Sequence, residues 1–417
     1  MFGIGASDDE PLTQRPRRED IAALAPYADA DRNTLDTLLA ASALRSLDNA
    51  RVPSKWFEGH ALFLHSGQVE IRLENTRRLF LSSVSPPARF PLPPAAVAGI
   101  SALGTATLLQ VPFSPTANTD AIRADFTVHG SDPLLATLSR IMRRKLDDGD
   151  IPLPSMPELA VRLNGALRER GADRDDRDVA KLIQLDPALA TKVIHAVNSA
   201  AFRFARRADS VQQAVTRLGR ERIRNLAVGF LLRHAFHTNS AVLRKRANAL
   251  WLRSCHIAAI SFTLARQLPM LDAERAMLAG LIHQIGALPI LGMTDRNPEL
   301  FGGTALVDRA VNAFARPLGR FVIERWQLGD DMLDVVQYAG DYQRIGHAVP
   351  DYADVVVLAQ LHADMGRPGF HHLPRFDSLP AFRKLELGRL TPRKSLQALA
   401  DAEQEILELR RILSGGS

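Results

Sequence analysis

Two consecutive stretches of this chain, residues 247–268 and 274–288, are apolar over most of their circumference when wound as helices. A helix without a polar face has to be buried on several sides. These two therefore predict a helical domain large enough to surround them. Neither stretch reaches the roughly 18 uninterrupted apolar residues of a membrane span, so a protein core is the expected place for both. With 417 residues the chain has room for two or three domains at roughly 100–200 residues each. Hydrophobic residues at 46% and charged residues at 24% exclude a disordered or fibrous chain.

The texture changes along the chain. Residues 1–19 read as a flexible leader, with Asp8-Asp9-Glu10 followed by Arg15, Arg17 and Arg18 around Pro16. The acidic start has no long apolar run, so no secretory signal is expected, and the cytoplasm is the expected location. Residues 20–131 read as a small β-rich module. Short strands at 61–64, 69–73 and 107–111 are separated by Ser66-Gly67-Gln68 and by prolines 86, 87, 91, 93 and 94. Asp132-Pro133 opens a helix, and 132–150 is a helix and linker. The acidic, Gly- and Pro-containing segment from Asp147 to Pro154 marks a boundary.

Helical signals dominate residues 151–375. Asp186-Pro187 is an N-cap with Pro at the first helical position, followed by Leu189, Val193 and Val197 on one face. Ser210 with Gln213 forms a capping box, Gly219 interrupts, and Ile223, Leu226, Ala227 and Phe230 continue. A C-terminal extension, 376–417, carries a helix over about 394–413 with Leu399, Ala402, Ile406, Leu409 and Leu413 along one face. That stripe could dock on the domain or on a second subunit, so a homodimer stays open.

The stretch from Leu153 to about residue 365 resembles the HDOD family, a non-catalytic relative of the HD-domain metal phosphohydrolases. The motifs that carry the resemblance are Leu153-Pro154-Ser155-Met156-Pro157-Glu158, Asp186-Pro187 within Gln184–Leu189, and Asn198-Ser199-Ala200. Ser210–Val215 with Arg217-Leu218-Gly219 completes them. The resemblance implies an all-helical domain used in bacterial signalling as a partner-binding or output module. The expected fold class is mainly α, an all-helical HDOD domain preceded by a small β-rich module.

In the catalytic relatives a His, a tandem His-Asp and a later Asp jointly hold a divalent ion that activates water. The resemblance puts Arg253, His283, Gln284 and Gln360 at these positions. One imidazole remains, and a permanently charged guanidinium stands where a cation would bind. The expectation is a dead metal site, with no catalytic residues, no metal and no cofactor. His256, one turn beyond Arg253, could in principle join His283 and Cys255 in a soft-metal cluster; packing roles are the plainer reading. His371-His372 reads as a surface-loop pair. The chain lacks Gly-Tyr-Pro, Gly-x-Ser-x-Gly and a phosphate-binding P-loop. A metal-dependent phosphohydrolase or cyclic-dinucleotide phosphodiesterase is the alternative enzyme reading. Cys255, the only cysteine, cannot form an internal disulfide.

In the β-rich module, Phe63–Glu70 resembles a strand-turn-strand of the cyclic-nucleotide-binding roll. Working versions need a carboxylate for the ribose and an Arg for the cyclic phosphate. Residues 80–110 hold no Asp or Glu and only Arg89, so the roll would be degenerate and its role structural or dimerising.

Charge is unevenly spread. Residues 200–253 carry twelve Arg and Lys against Asp209 and Glu221, a net +10 in a chain whose total is +6. Arg217, Arg220, Arg222, Arg224 and Arg253 are the candidates for binding an anion or an acidic partner, and the region also looks superficially like a helix-turn-helix. DNA binding would need several of these arginines on one exposed face. The expected partners are other signalling proteins, with neither nucleic acid nor membrane expected.

Overall fold

The computed structural model describes residues 15–73, 77–94, 98–112, 132–153, 156–168, 176–202, 207–238, 240–301, 303–365, 367, 370–385 and 390–415. Residues 1–14 of the expected leader, and Pro154, Ser155, Arg203 and Arg206, lie outside these. The chain forms two compact units. One comprises Met1–Asn118, Tyr342–Pro350 and Pro374–Pro392; the other comprises Thr119–Asp341, Asp351–Leu373 and Arg393–Ser417.

The first unit begins with two helices, α1 (Arg18–Ala22) and α2 (Arg32–Ala41). Six strands follow: β1 (Ala43–Asp48), β2 (His60–Ser66), β3 (Gln68–Leu73), β4 (Arg78–Ser82), β5 (Ala98–Ala102) and β6 (Thr105–Pro112). They pair antiparallel in two three-stranded sheets, ordered β1-β6-β2 and β4-β3-β5. Alternation decides which face is buried. Val69 and Ile71 of β3 point inward with Leu81 and Ile100, while Phe80, paired with Glu70 in the register, is exposed. Leu62, Leu64, Ala106 and Leu108 from the other sheet complete this core. The opposite face of that sheet, Leu44, Phe63 and Leu109, is covered by Ile21, Leu24, Leu35 and Leu38.

The turn expected at Ser66-Gly67-Gln68 is present, but its flanking strands do not pair. β2 pairs with β6 and β3 with β4 and β5, so the chain crosses between sheets at Gly67, whose φ is +84°. The linear division of the sequence also differs from the folded units. Ile345, Ala348 and Val349 pack in the β module's core, and Ala348 N–H donates to the Pro91 carbonyl at 2.8 Å. A further helix, α16 (Pro380–Leu385), belongs to the same unit, with Lys384 Nζ 5.7 Å from the centre of the Phe90 ring. Segments this short carry no period of their own by which sequence could place them.

Among its described residues, the second unit contains helices and no strand. Its helices begin with α3 (Pro133–Asp147), α4 (Glu158–Arg168), α5 (Asp176–Gln184), α6 (Pro187–Val197), α7 (Val211–Leu218) and α8 (Arg220–Leu232). They continue with α9 (Ala241–Ala265), α10 (Ala273–Ile282), α11 (Ala287–Arg296), α12 (Pro298–Phe301) and α13 (Thr304–Trp326). Then come α14 (Asp331–Tyr338), α15 (Tyr352–Asp364), α17 (Pro392–Asp401) and α18 (Glu403–Ser414).

The starts follow the sequence signals. Asp132, Asp186 and Ser210 each accept a hydrogen bond from a first-turn N–H group, which satisfies a donor the helix itself leaves unpaired. Gly219, at φ +85°, ends α7 and begins α8, a conformation that L side chains rarely adopt.

The two apolar stretches form the centre as expected. α9 packs on α10, α15 and α18. A Cβ on Gly280 would lie 2.5 Å from Ala258 Cα, so only glycine permits this approach of α10 to α9. Residues 273–296 are long and apolar enough to cross a membrane, but 89% of their most apolar window is buried within the unit. In α15, every residue from Ala353 to Ala363 is buried. The predicted C-terminal helix is instead two helices that break at Ala402. No Gly or Pro marks the break, so the apolar spacing reads straight through it.

Candidate functional site

Arg253 lies on α9 and faces the end of α15. Its two terminal nitrogens donate to both oxygens of Asp364, at 2.8 and 3.0 Å. Both side chains are about three-quarters buried, at 26% and 23% exposure. A two-pronged charged pair of this kind is among the stronger polar contacts a protein makes. Arg253 is a candidate in the sequence for holding a carboxylate or phosphate from a ligand or partner; in the fold the chain's own Asp364 occupies its fork. Arg367 adds a second guanidinium 3.8 Å from the same carboxylate.

His283 ends α10, fully enclosed. Its Nδ1–H donates to the Gly280 carbonyl at 2.7 Å, which leaves Nε2 as an acceptor, and Nε2 is buried without a partner. Burial pushes its pKa down to about 4; Arg253 lowers it further, and Asp364 opposes that, so the ring is neutral at pH 7. Gln360, one turn before Asp364 on α15, accepts from Gly340 N–H at 2.8 Å. The side-chain oxygen of Gln284 is buried without a hydrogen bond.

The cluster of His256, His283 and Cys255 does not form a ligand set. Among the described residues, no three His, Cys, Asp or Glu side chains gather where they could hold one ion. Burial pushes the Cys255 thiol up to about 12, so it stays protonated and is neither nucleophile nor thiolate ligand. His256 is pushed down to about 4, first by burial and then by Arg410, Arg367 and Arg253. His371 and His372 are exposed on a single 3-10 turn with ring centres 4.0 Å apart.

Among the candidate arginines, Arg222, Arg224 and Arg253 are engaged within the chain. Arg222 pairs with Asp272 at 3.0 Å and Glu274 at 3.5 Å. Arg224 donates to Asn225 Oδ1 at 2.8 Å, while its Nε is buried without a partner. Burial, with Arg275 nearby, pulls the Arg224 pKa down to about 10. Arg217 is half-buried, Arg220 exposed, and each interacts with another part of the chain. The resemblance to a helix-turn-helix fails for a structural reason. In α8, the would-be recognition helix, Ile223 and every residue from Asn225 to Leu232 are buried. Only the first turn of this helix, residues 220–222, is open to solvent, and its last eight residues cannot lie in a groove.

The motif residues build the scaffold. Asp186 caps α6 by accepting from Ala188 and Leu189 N–H. Asn198 brackets the loop that follows, donating to the Ala208 carbonyl at 2.8 Å and accepting from Ala208 N–H at 2.7 Å. Ser199 is buried, with no hydrogen bond to its hydroxyl. The residue that sequence reading missed is Asp364. Its spacing was the available signal: it falls four residues after Gln360, on the same helix face.

Residues 153–342 match the HDOD domain family and form an HDOD domain. The match leaves the β module unassigned. Over 282 residues the chain is 22% identical to an uncharacterized protein from Treponema pallidum (strain Nichols), covering 62% of this chain and 51% of that one. The chain thus spans about half the length of the curated relative it matches.

Among solved structures, a Shewanella amazonensis SB2B protein provisionally assigned as a metal-dependent phosphohydrolase superposes with a TM-score of 0.55 at 23% identity. It covers 67% of this chain and 98% of that one. An HDOD domain protein of unknown function from Geobacter sulfurreducens is 22% identical, with a TM-score of 0.49, covering 65% and 95% of the two chains. At 23% identity the likeness to the Shewanella protein is one of fold.

Proposed function

We propose that this chain is a non-catalytic signalling protein whose HDOD domain works by binding other proteins. The observation that carries this reading is the ion pair of Arg253 with Asp364 at the position where catalytic relatives hold their first ligand. A guanidinium repels a divalent ion, and the neutral amides of Gln284 and Gln360 supply none of the negative charge that would offset the repulsion. His283 alone keeps the posture of a metal ligand, with Nδ1 on a carbonyl and Nε2 unpaired. One imidazole beside a fixed positive charge is a poor site for a hydrolytic ion. The buried body of α8 weighs against DNA as a partner.

For the β module we propose a structural role. Arg89, its one basic residue between positions 80 and 110, is exposed on a 3-10 turn, without an acidic side chain in that stretch to meet a ribose. The test of the whole reading is metal analysis of the purified chain together with hydrolysis assays on phosphodiesters in Mn2+. Substoichiometric metal and no turnover support it. A stoichiometric ion with turnover overturns it.

A further inference from the structure

The C-terminal helix α18 lies along α9 and across the turn at Ala200–Phe202. It buries Ile406, Leu409, Ile412 and Leu413 and leaves Leu407, Arg410 and Arg411 exposed. Two acids stand one residue before apolar anchors and meet specific groups. Glu405 pairs with Arg266 at 2.9 Å, and Glu408 accepts from Ala200 N–H at 3.2 Å. Arg266 also donates to the Ala201 carbonyl at 2.7 Å and lies over the Phe262 ring, which packs against Phe202. The groove therefore has an apolar floor, a fixed cation at one end and an exposed backbone N–H further along.

The turn under α18 follows directly from the Asn198-Ser199-Ala200 motif. Ser199, 6% exposed, neighbours the Ala200–Glu408 contact, and its hydroxyl has no hydrogen-bond partner. Burying a hydroxyl unpaired is costly, so this turn carries a local free-energy cost beside the seat of α18. The helix is also joined to α17 through a break at Ala402.

We propose that this groove is the protein-docking surface of the domain, covered in cis by α18, and that its partner presents an acidic amphipathic helix with the same Glu-apolar pattern. The proposal rests on the non-catalytic, partner-binding reading above. Helix-in-groove recognition supplies the mode: apolar anchors at helical spacing give affinity, and Arg266 and the Ala200 N–H select acids over bases. A helix tethered in cis competes as an intramolecular ligand, so a partner binds only as α18 leaves.

The test uses the full-length chain and a labelled peptide of residues 402–417. Leu409→Asp in the full-length chain is expected to release α18. The peptide should then bind this variant at least about tenfold more tightly than wild type by fluorescence anisotropy. Adding Arg266→Glu should abolish that binding, and a peptide carrying Glu405→Lys should restore it. Equal binding to wild type and variant overturns the proposal. So does no binding to a variant that still melts cooperatively.

Should Leu409→Asp fail to fold, Arg266→Glu alone is read by hydrogen exchange. The proposal expects α18 amides to lose protection while those of α9 keep it; equal protection of the two overturns it. Metal content and phosphodiester hydrolysis measured on the same samples report separately on the non-catalytic reading.

Discussion

Arg253 and Asp364, 111 residues apart in sequence, are joined by two parallel hydrogen bonds of 2.8 and 3.0 Å. The pair ties α9 to the end of α15. Its two members should be unequal to lose singly and cheap to lose together. Asp364→Ala leaves a largely buried guanidinium without its carboxylate and is expected to cost about 1–3 kcal/mol. Arg253→Met with Asp364→Leu should cost less than either single change, because no charge is left unpaired. Urea denaturation of wild type, Arg253→Met, Asp364→Leu and the double variant measures the coupling, and strictly additive losses would contradict the account.

Acid should destabilise the chain through its buried histidines. His283, His256 and His362 are all depressed to about 4 by burial. Each unfolded imidazole binds a proton below its ordinary value near 6.5 while the folded one does not. The histidine contribution is therefore full above about pH 6.5 and falls as pH drops toward 4. For fully enclosed His283 the loss is on the order of 3 kcal/mol. His283→Asn should retain the donor to Gly280 and flatten the fall between pH 6.5 and 4. An unchanged slope in thermal melts across that range would count against the assignment.

Glu274 should act with the opposite sign. It is 3% exposed, and burial, reinforced by Asp272, raises its pKa to about 7 despite Arg222. A carboxyl raised in the fold contributes most below its unfolded value, and the contribution is lost as pH rises through 7. Glu274→Gln is thus expected to stabilise the chain at pH 8 and to be near neutral at pH 5. Chemical denaturation at the two pH values decides this, and a larger gain at pH 5 would refute it.

The cationic stretch should give weak and unspecific nucleic-acid binding. Because α8 is buried beyond Asn225, Arg220→Ala with Arg224→Ala should leave any mobility shift equally insensitive to DNA sequence. Sequence-selective binding lost in that double variant would restore the DNA reading.

The features legible in sequence are the local ones. Asp132-Pro133, Asp186-Pro187 and Ser210 announce helix starts because the capping group and the N–H it serves are two or three residues apart. The wholly apolar stretches announce the centre for the same reason. Long-range pairing was not legible. Nothing near Arg253 points to Asp364, and Ile345, Ala348 and Val349 join the β module through a segment too short to show a period. The exchange of sheets at Gly67 was hidden too, since a turn between two strands reads alike whether or not they pair. At the positions that the resemblance assigns to metal ligands, the identities of Arg253, Gln284 and Gln360 were legible, whereas the carboxylate that neutralises Arg253 needed the fold.

Titration of Mn2+ into the full-length chain by calorimetry tests the central claim most directly. The account predicts no saturable heat, because Arg253 and Asp364 already satisfy each other beside a single neutral imidazole. A stoichiometric site that disappears in His283→Asn would contradict it.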